Sequence, residues 1–164
     1  MTVLETHFAL GVPGVEMELP RMRPVVVDEN AAMETLRSGE YGDRVVVLIA
    51  LQRYADAAEA ITEARLLDPG NTRLRLLDTE VVRWTGDTDR AVRRLRRILE
   101  ETAGSADEPE VLHQLGACFY SLGDVRAAVT RFREAWQGRE QWHAAEVRQE
   151  CSRRCYELAS ASLS

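Results

Sequence analysis

Cys151 and Cys155 stand four residues apart near the C-terminus, with His143 eight residues before the first of them. Thiolate and imidazole are the donors of a zinc or redox site, which needs converging ligands or a reactive thiol. The spacing supplies neither. On a helix His143 falls off the stripe that Cys151 and Cys155 share with Ala144, Val147 and Leu158, and there is no fourth ligand. Cysteine on such a face behaves as a small hydrophobe, so core packing is the reading taken. Cys118, between Ala117 and Phe119, has no neighbouring base that would make it a nucleophile.

The remaining chemistry is equally sparse. Gly11-Val12-Pro13-Gly14 has the glycines of a phosphate loop but not its strand, helix and lysine. The histidines are three, at positions 7, 113 and 143, and no serine sits in a nucleophile elbow, so a hydrolytic triad has no basis. The expectation is a protein that is not an enzyme and uses no metal or cofactor.

Arg90, Arg93, Arg94, Arg96 and Arg97 form the densest basic cluster, and a helix puts Arg90, Arg93, Arg94 and Arg97 on one side while Ala91, Leu95 and Ile98 turn inward. Nucleic acid is one reading of such a face. Asp87, Asp89, Glu100 and Glu101 offer near-neighbour ion pairs, and no aromatics interleave, which favours a solvated, salt-bridged surface. The whole-chain charge agrees. Over 164 residues there are 27 acidic and 21 basic side chains, a net charge of −6 and a pI near 5.2, a field that repels phosphate and anionic lipid. All the basic side chains are arginine. The odd cysteine count fits a reducing compartment, and the longest apolar run, Val45 to Leu51, is too short to span a bilayer, so the expected location is cytoplasmic and away from membranes.

The elements that position these residues repeat. Ala57, Ala91 and Ala128 align with spacings of 34 and 37, the difference falling in the loop at 102–109. The hydrophobic period and the turn residues predict helices near 43–52, 54–67, 71–85, 88–101, 108–121, 124–137 and 140–160. Asn71, Asp87, Asp107 and Asp124 are the expected N-caps, Asp107 with Glu110 is a capping box, and Gly138 is a helix end. Before residue 40, Pro13, Pro20 and Pro24 forbid a long helix. Arg23 to Val27 reads as extended, and Asp28 caps a short helix ending at Gly39.

Leu112, Leu115, Gly116 and Phe119, then Gly123-Asp124, then Ala128, Phe132 and Ala135 occur in the order large, Leu-Gly, aromatic, turn, small, aromatic, small. In this the chain resembles the tetratricopeptide repeat (TPR) family. Tyr54, Ala57, Ile61, Ala64 and Asp68-Pro69 match in a first copy, Gly86-Asp87, Ala91 and Leu95 in a second; Arg44-Val45 and Asp78-Thr79 replace Leu-Gly. The resemblance implies an all-α helical-hairpin solenoid of about seven helices. An irregular arm would occupy 1–40, three repeats 41–139, and a capping helix and tail 140–164.

It also implies that the first helices line a concave groove, with Arg73, Leu76, Glu80 and Arg83 exposed there in the second repeat and Glu110, His113, Ala117 and Tyr120 in the third. Recognition of a terminal carboxylate in the manner of co-chaperone TPR domains is argued against, because Gly42, Val46, Leu77, Glu110 and Gln114 stand where positive charge is needed. The main reading is an adaptor holding a partner protein or peptide in the groove. One alternative is a secretion-type TPR chaperone that forms a homodimer through its arm; the other is a regulator contacting nucleic acid through the Arg90 to Arg97 helix.

Overall fold

The computed structural model describes residues 7–164. The chain divides into two compact units, one ending at Leu77 and the other Asp78–Ser164. Among the described residues there are eight helices and three short strands, which makes the fold all-α, of the TPR-like helical-hairpin class, with a small sheet in the arm.

The first unit opens with β1 (His7–Ala9), β2 (Val15–Glu18) and β3 (Arg23–Val26), an antiparallel meander in which Phe8 faces Met17 and Val15 faces Val26. Only β3 was expected to be extended. The alternation Val15-Glu16-Met17-Glu18 is the period-2 signal for β2, masked by the prolines on either side. Gly14 ties the sheet to the first helix. Its φ is +80°, its carbonyl accepts from Val27 N at 2.9 Å, and an added Cβ would lie 2.5 Å from both Ala32 N and Asp28 O, so only glycine fits.

That helix, α1 (Glu29–Ser38), starts where Asp28 accepts from Ala31 N at 3.1 Å, as the sequence indicates. Val12, Val15, Ala32 and Val47 form a buried cluster, so the arm packs on α2 (Tyr41–Ala50) of its own chain. Arg44 Nε, donating to Leu36 O at 3.1 Å, holds the α1–α2 corner. α2 then pairs with α3 (Tyr54–Leu67), which presents Ala57, Ile61 and Ala64 inward at helical spacing. Gln52 turns the chain between them with φ +58°.

The division between the units falls inside α4 (Thr72–Trp84), whose start is capped by Asn71 Oδ1 accepting from Leu74 N at 3.1 Å. The second unit continues with α5 (Thr88–Thr102), α6 (Glu108–Ser121), α7 (Val125–Gln141) and α8 (Glu146–Ala161). Gly86-Asp87 and Gly123-Asp124 do the same work twice. The glycines take φ +98° and +80°, and the aspartates accept from Arg90 N and Ala127 N at 3.1 Å. Gln52-Arg53 occupies the corresponding place before α3 without a side-chain cap.

α6 and α7 approach closely because Gly116 leaves room for Phe132. A Cβ at Gly116 would lie 2.7 Å from the ring, which is fully buried, a burial worth about 2–3 kcal/mol over an exposed side chain.

Two boundary expectations are corrected. Asp107 makes no side-chain cap because its own backbone is helical (φ −83°, ψ −19°); the Glu108 carboxylate instead accepts from Gly104 N. Gly138 does not end α7, which runs on to Gln141. Its missing side chain serves packing, since a Cβ there would meet Pro109 Cγ at 2.6 Å. The last helix consequently starts at Glu146, after a turn in which His143 takes φ +53°.

Candidate functional site

Because α7 continues past Gly138, Arg139 stays on a helical face and reaches α6. Its Nη2 and Nε donate to Glu110 Oε2 and Oε1 at 2.6 and 3.2 Å, a bidentate pair, and its Nη1 donates to Arg148 O at 2.7 Å and Ser152 Oγ at 2.8 Å. Arg148 adds a second cation 3.4 Å from Glu110. Burial alone would raise the Glu110 carboxyl; Arg139, then Arg148, outweigh it and hold the group below its ordinary 4.5.

Ser152 carries this network to His113, whose Nδ1 lies 3.0 Å from Ser152 Oγ and whose Nε2 lies 3.6 Å from Cys151 Sγ. Cys155 completes the cluster, a ring nitrogen of His113 and the sulfurs of Cys151 and Cys155 lying within 4.8 Å of one another in the interior. The two thiols diverge. Cys155 at hydrogen-bonding distance, then His113 and Arg139, hold Cys151 well below the thiol range against the opposing effect of burial, while Cys151 and burial push Cys155 well above it.

His113, and not His143, is therefore the imidazole beside the cysteines, in keeping with the expectation that His143 falls off their stripe. His143 is exposed at the α7–α8 turn. The sequence stripe identified Cys151 and Cys155 correctly as inward-facing, but α6 and α8 meet only through tertiary packing, and neither Ser152, beside that stripe, nor Arg139, on α7, carried a signal of its own.

The eight positions expected to line an exposed groove separate by burial. Leu76, Glu80, Arg83, His113 and Ala117 are buried, which corrects their expected exposure; Arg73, Glu110 and Tyr120 are partly open. Within the first unit Arg73 Nη2 already donates to Asp43 Oδ1 at 2.6 Å, and its guanidinium fills the space beside Gly42, where a Cβ would lie 2.6 Å from Nη1.

In the second unit Arg83, its side chain 2% exposed, donates to both Glu80 oxygens and to Ser121 Oγ, and stacks 4.2 Å from the centroid of the Trp84 ring. An ion pair this enclosed, within α4 and joined to α6 through Ser121, is not a free anchor for a peptide. Cys118 lies beside it; burial and then Glu80 push its thiol up to about 12, so it is inert as a nucleophile.

On α5, Arg90, Arg93, Arg96 and Arg97 are exposed, whereas Arg94 Nη1 donates to Asp78 Oδ2 at 2.8 Å, a pair across to α4. A cleft of about 510 Å³ that the sequence did not indicate lies among α5, α6 and α7, lined by Leu99, Leu112, Arg131, Glu134 and Trp142 among others.

Hairpins of this geometry define a TPR-like helical fold. The tetratricopeptide repeat family matches residues 48–108. In fold, the chain is similar to PcrH from Pseudomonas aeruginosa, with a TM-score of 0.58 over 85% of this chain and 97% of that one, at 15% sequence identity. No curated protein matches the chain. Among the described residues no helix is long and apolar enough to cross a membrane.

Proposed function

We propose that the protein is a non-enzymatic, PcrH-like secretion chaperone acting in the cytoplasm, which holds a segment of a secreted partner protein. The observation that supports this over an open-ended adaptor is the extent of the likeness, which runs through nearly the whole of PcrH and takes in most of this chain. Within each unit the chain also covers its own helices, the sheet and α1 packing on α2 and α8 packing on α7, as in a self-contained module. Tyr120, on α6 and half-buried, is the residue of the expected set best suited to anchor a partner, offering an aromatic face and a hydroxyl. Homodimer formation through the arm belongs to the same reading, the arm contributing β1 and β3 as sheet edges.

Affinity capture from the native extract tests this, with intact protein and Tyr120→Ala run in parallel and sedimentation equilibrium on both. A secreted protein retained by the intact chain and weakened by Tyr120→Ala supports the proposal. Capture of resident cytoplasmic proteins alone returns the reading to the adaptor.

A further inference from the structure

The His113–Cys151–Cys155 cluster has more organisation than a core position requires. Filling volume needs neither an imidazole nor a hydroxyl, and a buried polar network is retained at a cost relative to apolar packing. Here the network is aimed. Ser152 Oγ, itself held by Arg139 at 2.8 Å, fixes the Nδ1 side of His113 at 3.0 Å and leaves Nε2 turned to the sulfurs. That is the arrangement by which a second polar group orients a ligating histidine.

The distances suit a common metal. With metal–sulfur and metal–nitrogen bonds of about 2.3 and 2.0 Å, the donors around one ion stand about 3.5–4 Å apart. His113 Nε2 and Cys151 Sγ are at 3.6 Å, and Cys155 Sγ, one helical turn from Cys151, lies within 4.8 Å of that sulfur and of a ring nitrogen of His113.

Donor number selects the ion. Among the described residues the cluster holds three donors and no fourth, and soft d10 monovalent copper accepts three-coordination by thiolate and imidazole.

We propose that His113, Cys151 and Cys155 form a three-donor binding site for a soft monovalent metal ion, copper(I). The site is separate from Tyr120 and does not depend on the partner reading.

The test is anaerobic titration of the reduced full-length chain with copper(I) against bicinchoninate as a chromophoric competitor, with zinc(II) in a parallel arm. One copper(I) per chain is expected. Cys151→Ser and Cys155→Ser should each lose at least about 100-fold in affinity, Ser152→Ala about 10–100-fold, and Cys118→Ser nothing. Failure to hold copper(I) against the competitor, uptake of zinc(II) but not copper(I), or equal loss in Cys118→Ser would overturn the proposal. Should the serine variants not fold, X-ray absorption at the copper edge of the intact protein decides: two sulfur scatterers and one nitrogen support the site, and any other first shell sinks it.

Discussion

Arg139 donates through two nitrogens to both carboxylate oxygens of Glu110, 29 residues earlier, and so fastens α7 to α6 at the point where α8 arrives. The pair lies inside, with side chains 6% and 20% exposed, and its worth depends on both partners being present. Removing the guanidinium alone, in Arg139→Met, leaves Glu110 only the half-exposed Arg148 at 3.4 Å and should cost about 3–5 kcal/mol in urea unfolding. The double variant Arg139→Met with Glu110→Leu should recover most of that loss. Additive losses in the double variant would show that the two residues act separately.

The same pair sets an acid limit. Glu110 has its carboxyl held below the ordinary 4.5, so its ionised form is favoured more in the folded than in the unfolded chain. Its contribution is complete above about pH 4.5 and is lost as the pH falls through the folded value. Urea midpoints should therefore drop below pH 4.5 in the intact protein and drop less in the double variant. Glu34 and Glu150 are also held low by neighbouring arginines, but on the surface, where screening leaves little effect on stability.

Two glycines on the repeat motif should fail for different reasons. Gly116→Ala forces a methyl against the Phe132 ring and should cost about 1–3 kcal/mol, partly restored by Phe132→Leu. Gly86→Ala meets nothing within 4 Å, yet φ +98° strains any side chain, so a loss of about 1 kcal/mol should persist whatever the neighbours become. Thermal unfolding of the single and paired variants separates crowding from backbone strain.

Cys118, with its thiol near 12, should resist iodoacetamide at pH 8 in the native protein and react promptly in urea. Mass mapping of the alkylated peptide reads this site alone. Native labelling at the unfolded rate would contradict the enclosed position beside Glu80.

The exposed arginines of α5 should be dispensable to the fold. Arg93→Ala with Arg97→Ala is expected to shift stability by less than about 0.5 kcal/mol, and Arg94→Ala by more, since Arg94 alone of the three pairs with Asp78. A salt-sensitive mobility shift with DNA that disappears in the Arg93/Arg97 double variant would revive the nucleic-acid reading.

The sequence by itself determined the local structure. Spacing of Ala57, Ala91 and Ala128, with the Gly-Asp turns before α5 and α7, was enough for the hairpins, because helix period, left-handed glycine and aspartate caps act over a few residues. It also identified which faces of α8 turn inward.

What only the tertiary structure decided was which polar residues meet. His113 and Cys151 are 38 positions apart, and nothing in either neighbourhood says that α8 will lie against α6. Gly138 read as a stop because local preference ends helices at glycine, whereas the Pro109 ring made it a contact and let α7 carry Arg139 to Glu110. Arg83 read as exposed for a similar reason: a guanidinium is assigned to solvent until a partner is seen, and Glu80, Ser121 and Trp84 enclose this one. Side-chain burial depends on contacts distant in sequence, and those are decided by packing.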